Sequence, residues 1–171
     1  MFSWSNKRKE IEPARKVHFF EDEYRHIEIL PAENPEICPE NAEILKVHDL
    51  KIAGNLLDET LKSVVPKYDE VIYHNGSDYE KSEFTSAFGY DENVVAFYDE
   101  EDGFVKTIWL RLDIKKENDI ERACKLFAAL SELGNFIIDD LGWGFVEKIN
   151  NDEEIKQYLQ NRFNVFSARV L

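Results

Sequence analysis

Residues 94–114 read VVAFYDEEDGFVKTIWLRLDI. Two runs rich in β-branched and aromatic side chains, Val94 to Tyr98 and Phe104 to Ile114, flank Asp99-Glu100-Glu101-Asp102-Gly103, a pattern that predicts two strands and a polar connection. Side chains alternate along a strand, so Phe104, Ile108, Leu110, Leu112 and Ile114 fall on one side through a bend, and Val105, Thr107, Trp109 and Arg111 fall on the other. Bulk on both sides predicts a sheet with both faces partly covered.

Toward the N-terminus, Val17 to Phe20 and Tyr24 to Leu30 read as short strands around the acidic turn Glu21-Asp22-Glu23; Arg25, Ile27 and Ile29 alternate with His26 and Glu28, as in a half-buried strand. Pro31, Pro35 and Pro39 impose an irregular connection. Ile44, Leu45, His48, Ile52, Leu56, Leu57 and Leu61 then recur at spacings that predict one or two amphipathic helices over 40–63, with Gly54 as a possible break. Asp69 to Tyr73 reads as a strand running into His74-Asn75-Gly76, whose Asn-Gly pair signals a turn; 77–92 shows no clear period and reads as loop.

Toward the C-terminus, Ile120, Ala123, Cys124, Phe127, Ala128, Leu130 and Leu133 predict a helix capped by Asn118 and closed by Gly134. Phe136 to Asp139 and Gly144 to Ile149 suit a second hairpin around Leu141-Gly142-Trp143. The next helix starts at Asn151, with Glu154 at its third position, and buries Ile155, Tyr158 and Leu159; 164–171 is a final strand or a tail. Hairpins interspersed with helices, without βαβ alternation, predict one α+β domain over 16–171, an antiparallel or mixed sheet with helices packed on it, preceded by a flexible arm at 1–15.

The 171 residues are 43% hydrophobic and 13% aromatic, ample for a core, and no linker-like or repeated stretch interrupts them. Lys and Arg total 21 against 35 Asp and Glu, a net charge of -14. Such a surface repels phosphate backbones and anionic lipid, so neither direct nucleic-acid nor membrane binding is expected; a basic protein is the complementary partner, although the same charge also serves solubility alone. Charge appears at Lys7, before an apolar signal segment can form, and no run approaches a membrane span, which predicts a cytoplasmic protein.

Catalytic patterns are missing. His18, His26, His48 and His74 form no H-E-x-x-H; a pair from His18 and His26 on neighbouring strands lacks a third ligand at recognised spacing. Cys38 lies in a loop and Cys124 on an apolar helical stripe. No nucleophile elbow and no phosphate-cradling glycine loop occurs. We therefore expect no catalytic residue, metal or cofactor. Asp99, Glu100, Glu101 and Asp102 read either as a solvated hairpin tip or as a binding patch. Asp139, Asp140 and Trp143 read either as a polar turn with a covering aromatic or as an acidic and aromatic patch for a partner's Lys or Arg.

Ile27-Glu28-Ile29-Leu30-Pro31, Lys106-Thr107-Ile108-Trp109-Leu110 and Phe136-Ile137-Ile138-Asp139-Asp140 followed by Trp143 together resemble bacterial immunity proteins of polymorphic toxin and contact-dependent growth inhibition systems. The resemblance implies a small cytosolic protein that binds the toxic C-terminal domain of a delivered effector, often a nuclease, and blocks its active site or its access to substrate. Under it, Asp99, Glu100, Glu101, Asp102, Asp139, Asp140 and Trp143 are the candidate partner-binding residues. Two other classes compete: a small-molecule enzyme, which a deep cleft with a histidine and a shifted carboxylate would favour, and a generic acidic scaffold or regulatory module. A flat acidic patch with exposed aromatics would favour a binder.

Overall fold

A computed structural model describes residues 13–32, 36–38, 43–45 and 50–170. In chain order the elements are β1 (Lys16–Phe20), β2 (Ile27–Pro31), β3 (Glu36–Cys38), β4 (Glu43–Leu45), α1 (Gly54–Lys62), β5 (Glu70–Asn75), β6 (Asp78–Lys81), β7 (Thr85–Gly89), β8 (Val94–Glu101), β9 (Phe104–Leu112), α2 (Glu117–Ser131), β10 (Phe136–Asp140), β11 (Phe145–Lys148) and α3 (Asp152–Val170). Six strands form an antiparallel sheet in the order β11-β10-β2-β9-β8-β7; β1-β5-β6 form a smaller mixed sheet, and β3 pairs with β4. This is the α+β domain that the order of elements predicts.

The hairpin of β8 and β9 divides the core in two. Ile108, Leu110 and Leu112 face the helices, among Leu57, Leu61, Leu126, Phe127, Leu130, Ile155 and Leu159. Trp109 faces the small sheet, among Val17, Phe19, Val71 and Phe97, stacked on Phe97 with ring centroids 5.3 Å apart. Burying each such side chain contributes about 1.5–3 kcal/mol, so both sides of this strand stabilise the fold.

Several expectations are corrected. The strands of the central hairpin continue through Asp99 to Glu101, and only Asp102 (φ 52°) and Gly103 (φ 80°) form the connection, a two-residue turn with both φ positive. The pairing slips between Asp99 and Glu100, and this bulge puts Val105 rather than Phe104 on the face of Ile108: Val105 is buried and Phe104 exposed. β2 starts at Ile27, because Arg25 takes φ 57° within a turn, and lies between β10 and β9, so Ile27, Glu28, Ile29 and Leu30 are all buried instead of alternating.

Residues 43–45 are strand, and α1 begins at Gly54 instead of breaking there; 40–42 and 46–49 lie outside the described residues. The stretch read as loop at 77–92 contains β6 and β7, with Gly76 (φ 61°) opening the tight turn into β6. All four residues of β6 are exposed, so no apolar alternation marks it. α2 begins one residue before Asn118; Asp119 instead caps it, accepting from the Lys115 and Lys116 amides at 3.1 and 3.2 Å. Its C-cap is Glu132, ahead of Gly134. α3 continues to Val170, through the segment expected to be a strand or tail.

Of the expected arm, 1–12 lie outside the described residues. Arg15 is docked: its guanidinium donates to the Lys67 and Gly89 carbonyls at 2.9 and 2.8 Å and lies over the Tyr68 ring. Among the described residues no helix is long and apolar enough to cross a membrane.

Candidate functional site

The nominated residues belong to two hairpins whose turns lie at opposite ends of the large sheet. Glu28 pairs with both Trp109 and Asp139, which sets β10 alongside the middle of β9 with its turn beyond the C-terminal end of that pairing. Arg162 reinforces that end by donating to the Leu112 carbonyl and to Asp140. Glu100, Glu101 and Asp102 sit toward the other end, beside the start of β9, and Asp99 pairs with Thr107 nearer its middle.

Asp140 is 0% exposed and fully engaged. It accepts from Arg162, from the Tyr158 hydroxyl at 2.6 Å, and from the turn amides of Gly142 and Trp143 at 2.9 and 3.2 Å. Burial, then the neighbouring carboxylate, drives the Tyr158 phenol well above its ordinary range. Asp140 therefore leaves the list of surface residues: it organises a turn from inside. Trp143 remains 42% exposed, with the Arg162 guanidinium 5.3 Å from its ring centroid, and Asp139 is half-buried.

At the opposite end the small sheet and the β8–β9 hairpin enclose an open cleft of about 480 Å³. Phe19 on β1, Tyr73 on β5, Tyr24 on the turn after β1 and Phe84 on the β6–β7 connection give it aromatic walls. Glu80, Asp99, Glu100 and Glu101 contribute carboxylates, and Lys106 is the one cation among the described residues of the same lining. Phe84 is 72% exposed and Tyr24 42% exposed, an uncommon state for large rings.

Asp99 forms the polar centre of the cleft. Thr85 donates to Oδ1 at 2.6 Å and Tyr24 to Oδ2 at 3.0 Å, while Ser82 donates to the Thr85 hydroxyl at 2.7 Å. Burial raises the Asp99 pKa despite the two hydroxyls and the Arg25 charge, which favour its ionised form. Burial and then the charge of Asp99 push the Tyr24 phenol up to about 12. These positions are fixed from elsewhere: the Tyr24 ring meets the Trp109 ring edge-on at 4.9 Å, and the Glu100 amide donates to the Phe84 carbonyl at 3.2 Å.

Glu100 also reaches the start of α1. A Cβ on Gly54 would lie 1.9 Å from Glu100 Oε2, so glycine leaves the carboxylate room beside the positive end of the helix. A second depression of about 720 Å³ shares Tyr24, Asp99 and Lys106 with the cleft and adds Phe104 and Thr107. Arg25 (φ 57°) and Lys51 (φ 53°), both with left-handed backbones that disfavour side chains, line it too.

The structure thus puts Asp99, Glu100 and Glu101, nominated as a hairpin tip or binding patch, in the lining of a cleft, leaves Asp102 at the turn beyond it, and adds Tyr24, Thr85, Glu80 and Phe84, which sequence reasoning missed. No local signal marks those four; Tyr24 and Asp99 are 75 residues apart. His18 lies beside His74 rather than His26, with Nδ1 and Nε2 2.8 Å apart. His18, His26 and His74 do not line the cleft, and among the described residues no three His, Cys, Asp or Glu are arranged to hold a metal. Cys124 is half-buried, and burial pushes its thiol up, away from the reactive thiolate. The site therefore mixes the two expected signatures: a cleft with a shifted carboxylate, but an open one with acidic and aromatic walls. No family model, no curated protein and no solved structure matches the chain.

Proposed function

We propose that this chain is an immunity protein, a cytoplasmic binder and not a catalyst, that neutralises a basic cognate toxin domain, a nuclease by charge, through stoichiometric occlusion. One observation carries this: four carboxylates and exposed aromatic rings converge on a single cleft whose lining, among the described residues, holds one lysine. A net charge of -14 steers a cationic partner toward the surface and speeds capture, and the rings at the cleft provide apolar contact that slows release. The Lys and Arg that a nuclease uses on phosphates are the groups such a surface neutralises, whereas nucleic acid and anionic lipid are repelled.

The test is co-expression with the C-terminal domain of a large secreted effector encoded next to this chain. We expect growth rescue and a stable complex on co-purification; a toxic domain that is neither neutralised nor bound removes the proposal. A small-molecule enzyme draws support from the raised pKa of Asp99 beside Tyr24, and it predicts that cells carrying Asp99→Asn lose a chemical conversion and not toxin resistance.

A further inference from the structure

We propose that the cleft between the small sheet and the β8–β9 hairpin is a receptor for one arginine side chain of the partner, its guanidinium seated against Asp99 and flanked by aromatic rings. This rests on the reading of the chain as a binder of a basic protein and names the group recognised.

The described lining of the cleft holds as many aromatic rings as carboxylates, and one of those carboxylates, Asp99, is fixed in place. Thr85 and Tyr24 each occupy one lone pair of a different Asp99 oxygen, which leaves each oxygen a second acceptor position and holds the carboxylate in one orientation. Both donors are uncharged; the Arg25 charge acts on Asp99 only through space, and no cation among the described residues is in hydrogen-bond contact with it. Interactions with a cation strengthen as water is excluded, and Asp99 is already partly desolvated by Tyr24 and its neighbours. An incoming cation thus meets a carboxylate whose dehydration and orientation are part of the fold, the condition for affinity without large reorganisation.

The shape of the occupant follows from the walls. A guanidinium is planar, weakly hydrated, stacks on aromatic faces and donates two parallel hydrogen bonds to a carboxylate; an ammonium is compact, strongly hydrated and does neither as well. Tyr24, Tyr73 and Phe84 supply aromatic faces, and Glu80 and Glu101 add acceptors at the sides. Lys106 forms a 3.3 Å ion pair with Glu101 across this lining, an intramolecular cation that competes weakly with the incoming one.

Amide chemical shifts of the full chain, titrated with the acetylated and amidated tripeptides Gly-Arg-Gly, Gly-Lys-Gly and Gly-citrulline-Gly, test this. The arginine peptide should saturate, moving the amides of Tyr24, Thr85 and Asp99. The lysine peptide should bind at least about threefold more weakly, and the uncharged citrulline peptide should not bind measurably. Asp99→Asn should weaken the arginine peptide about tenfold, the loss of one charge-assisted contact. Phe84→Ala, an exposed ring outside the core, should weaken it about threefold with the fold intact.

Equal binding of lysine and arginine, shifts scattered over the acidic surface, or an unchanged response in both variants overturns the arginine receptor. If the toxin domain is still bound and neutralised by Asp99→Asn, the immunity function stands and this receptor falls. If the wild-type chain takes the arginine peptide in the cleft but no toxin domain, the site stands and the immunity function falls.

Discussion

Asp99 and Asp140 lie on different hairpins of one sheet, each beside aromatic rings and each with a tyrosine hydroxyl donating to it. Asp140 also receives a guanidinium and two backbone amides, so its charge is compensated in place and none of it is presented outward. Asp99 receives two hydroxyls and, among the described residues, no cation in hydrogen-bond contact, with Arg25 acting only through space, and it opens onto a cleft. The difference teaches that an acidic residue beside an aromatic signals a binding site only if the fold leaves its charge unspent. α3 brings the Arg162 guanidinium into contact with Asp140, whereas Arg25 favours the Asp99 charge only through space.

The largest expected effect breaks the compensated end. Arg162→Met strands the Asp140 charge in the interior and should destabilise the fold by about 3–5 kcal/mol in urea denaturation. A loss below 1 kcal/mol would mean that the pair is not what holds that turn. Tyr158→Phe keeps the ring, which stacks on Phe145 at 4.2 Å, and deletes one donor to Asp140. It should cost about 1–3 kcal/mol, read from the same midpoints.

The smallest effect has the opposite sign and sharpens the contrast. Burial raises the Asp99 pKa above that of the unfolded chain, so the folded state binds this proton more tightly, and wild-type stability declines as pH rises through the raised value. Asp99→Asn removes that penalty. The variant should match or exceed wild-type stability at pH 7, and its advantage should shrink toward about pH 4, where the unfolded carboxyl also takes up its proton. A variant less stable than wild type at pH 7 would make Asp99 a structural residue like Asp140. Stability gained and cation binding lost together mark a residue kept for function.

How much was legible depends on the range of the interactions. The hairpin at 94–112, the helix at 117–131 and the burial of Ile155, Tyr158 and Leu159 follow from local periodicity, and the structure bears them out. β6 escaped notice because each of its residues is exposed, and β7 because Thr85, Ser86, Ala87 and Gly89 carry little apolar bulk; pairing to neighbours makes both of them strands. Phe104 was assigned to the wrong face because a bulge is a property of two strands together. Within the site, Asp99, Glu100 and Glu101 were visible as acids in a hairpin, whereas Tyr24 and Thr85, which hold Asp99, come from other elements.

By itself the sequence determined the class of fold, the surplus of negative charge, the acids of both hairpins and the aromatic beside the second, since composition and periodicity act along the chain. The tertiary structure decided which of those acids faces a cleft and which is neutralised inside the domain. That choice depends on where Arg162, Tyr24 and Thr85 arrive in space, and electrostatic compensation acts over a few ångströms whatever the separation along the chain.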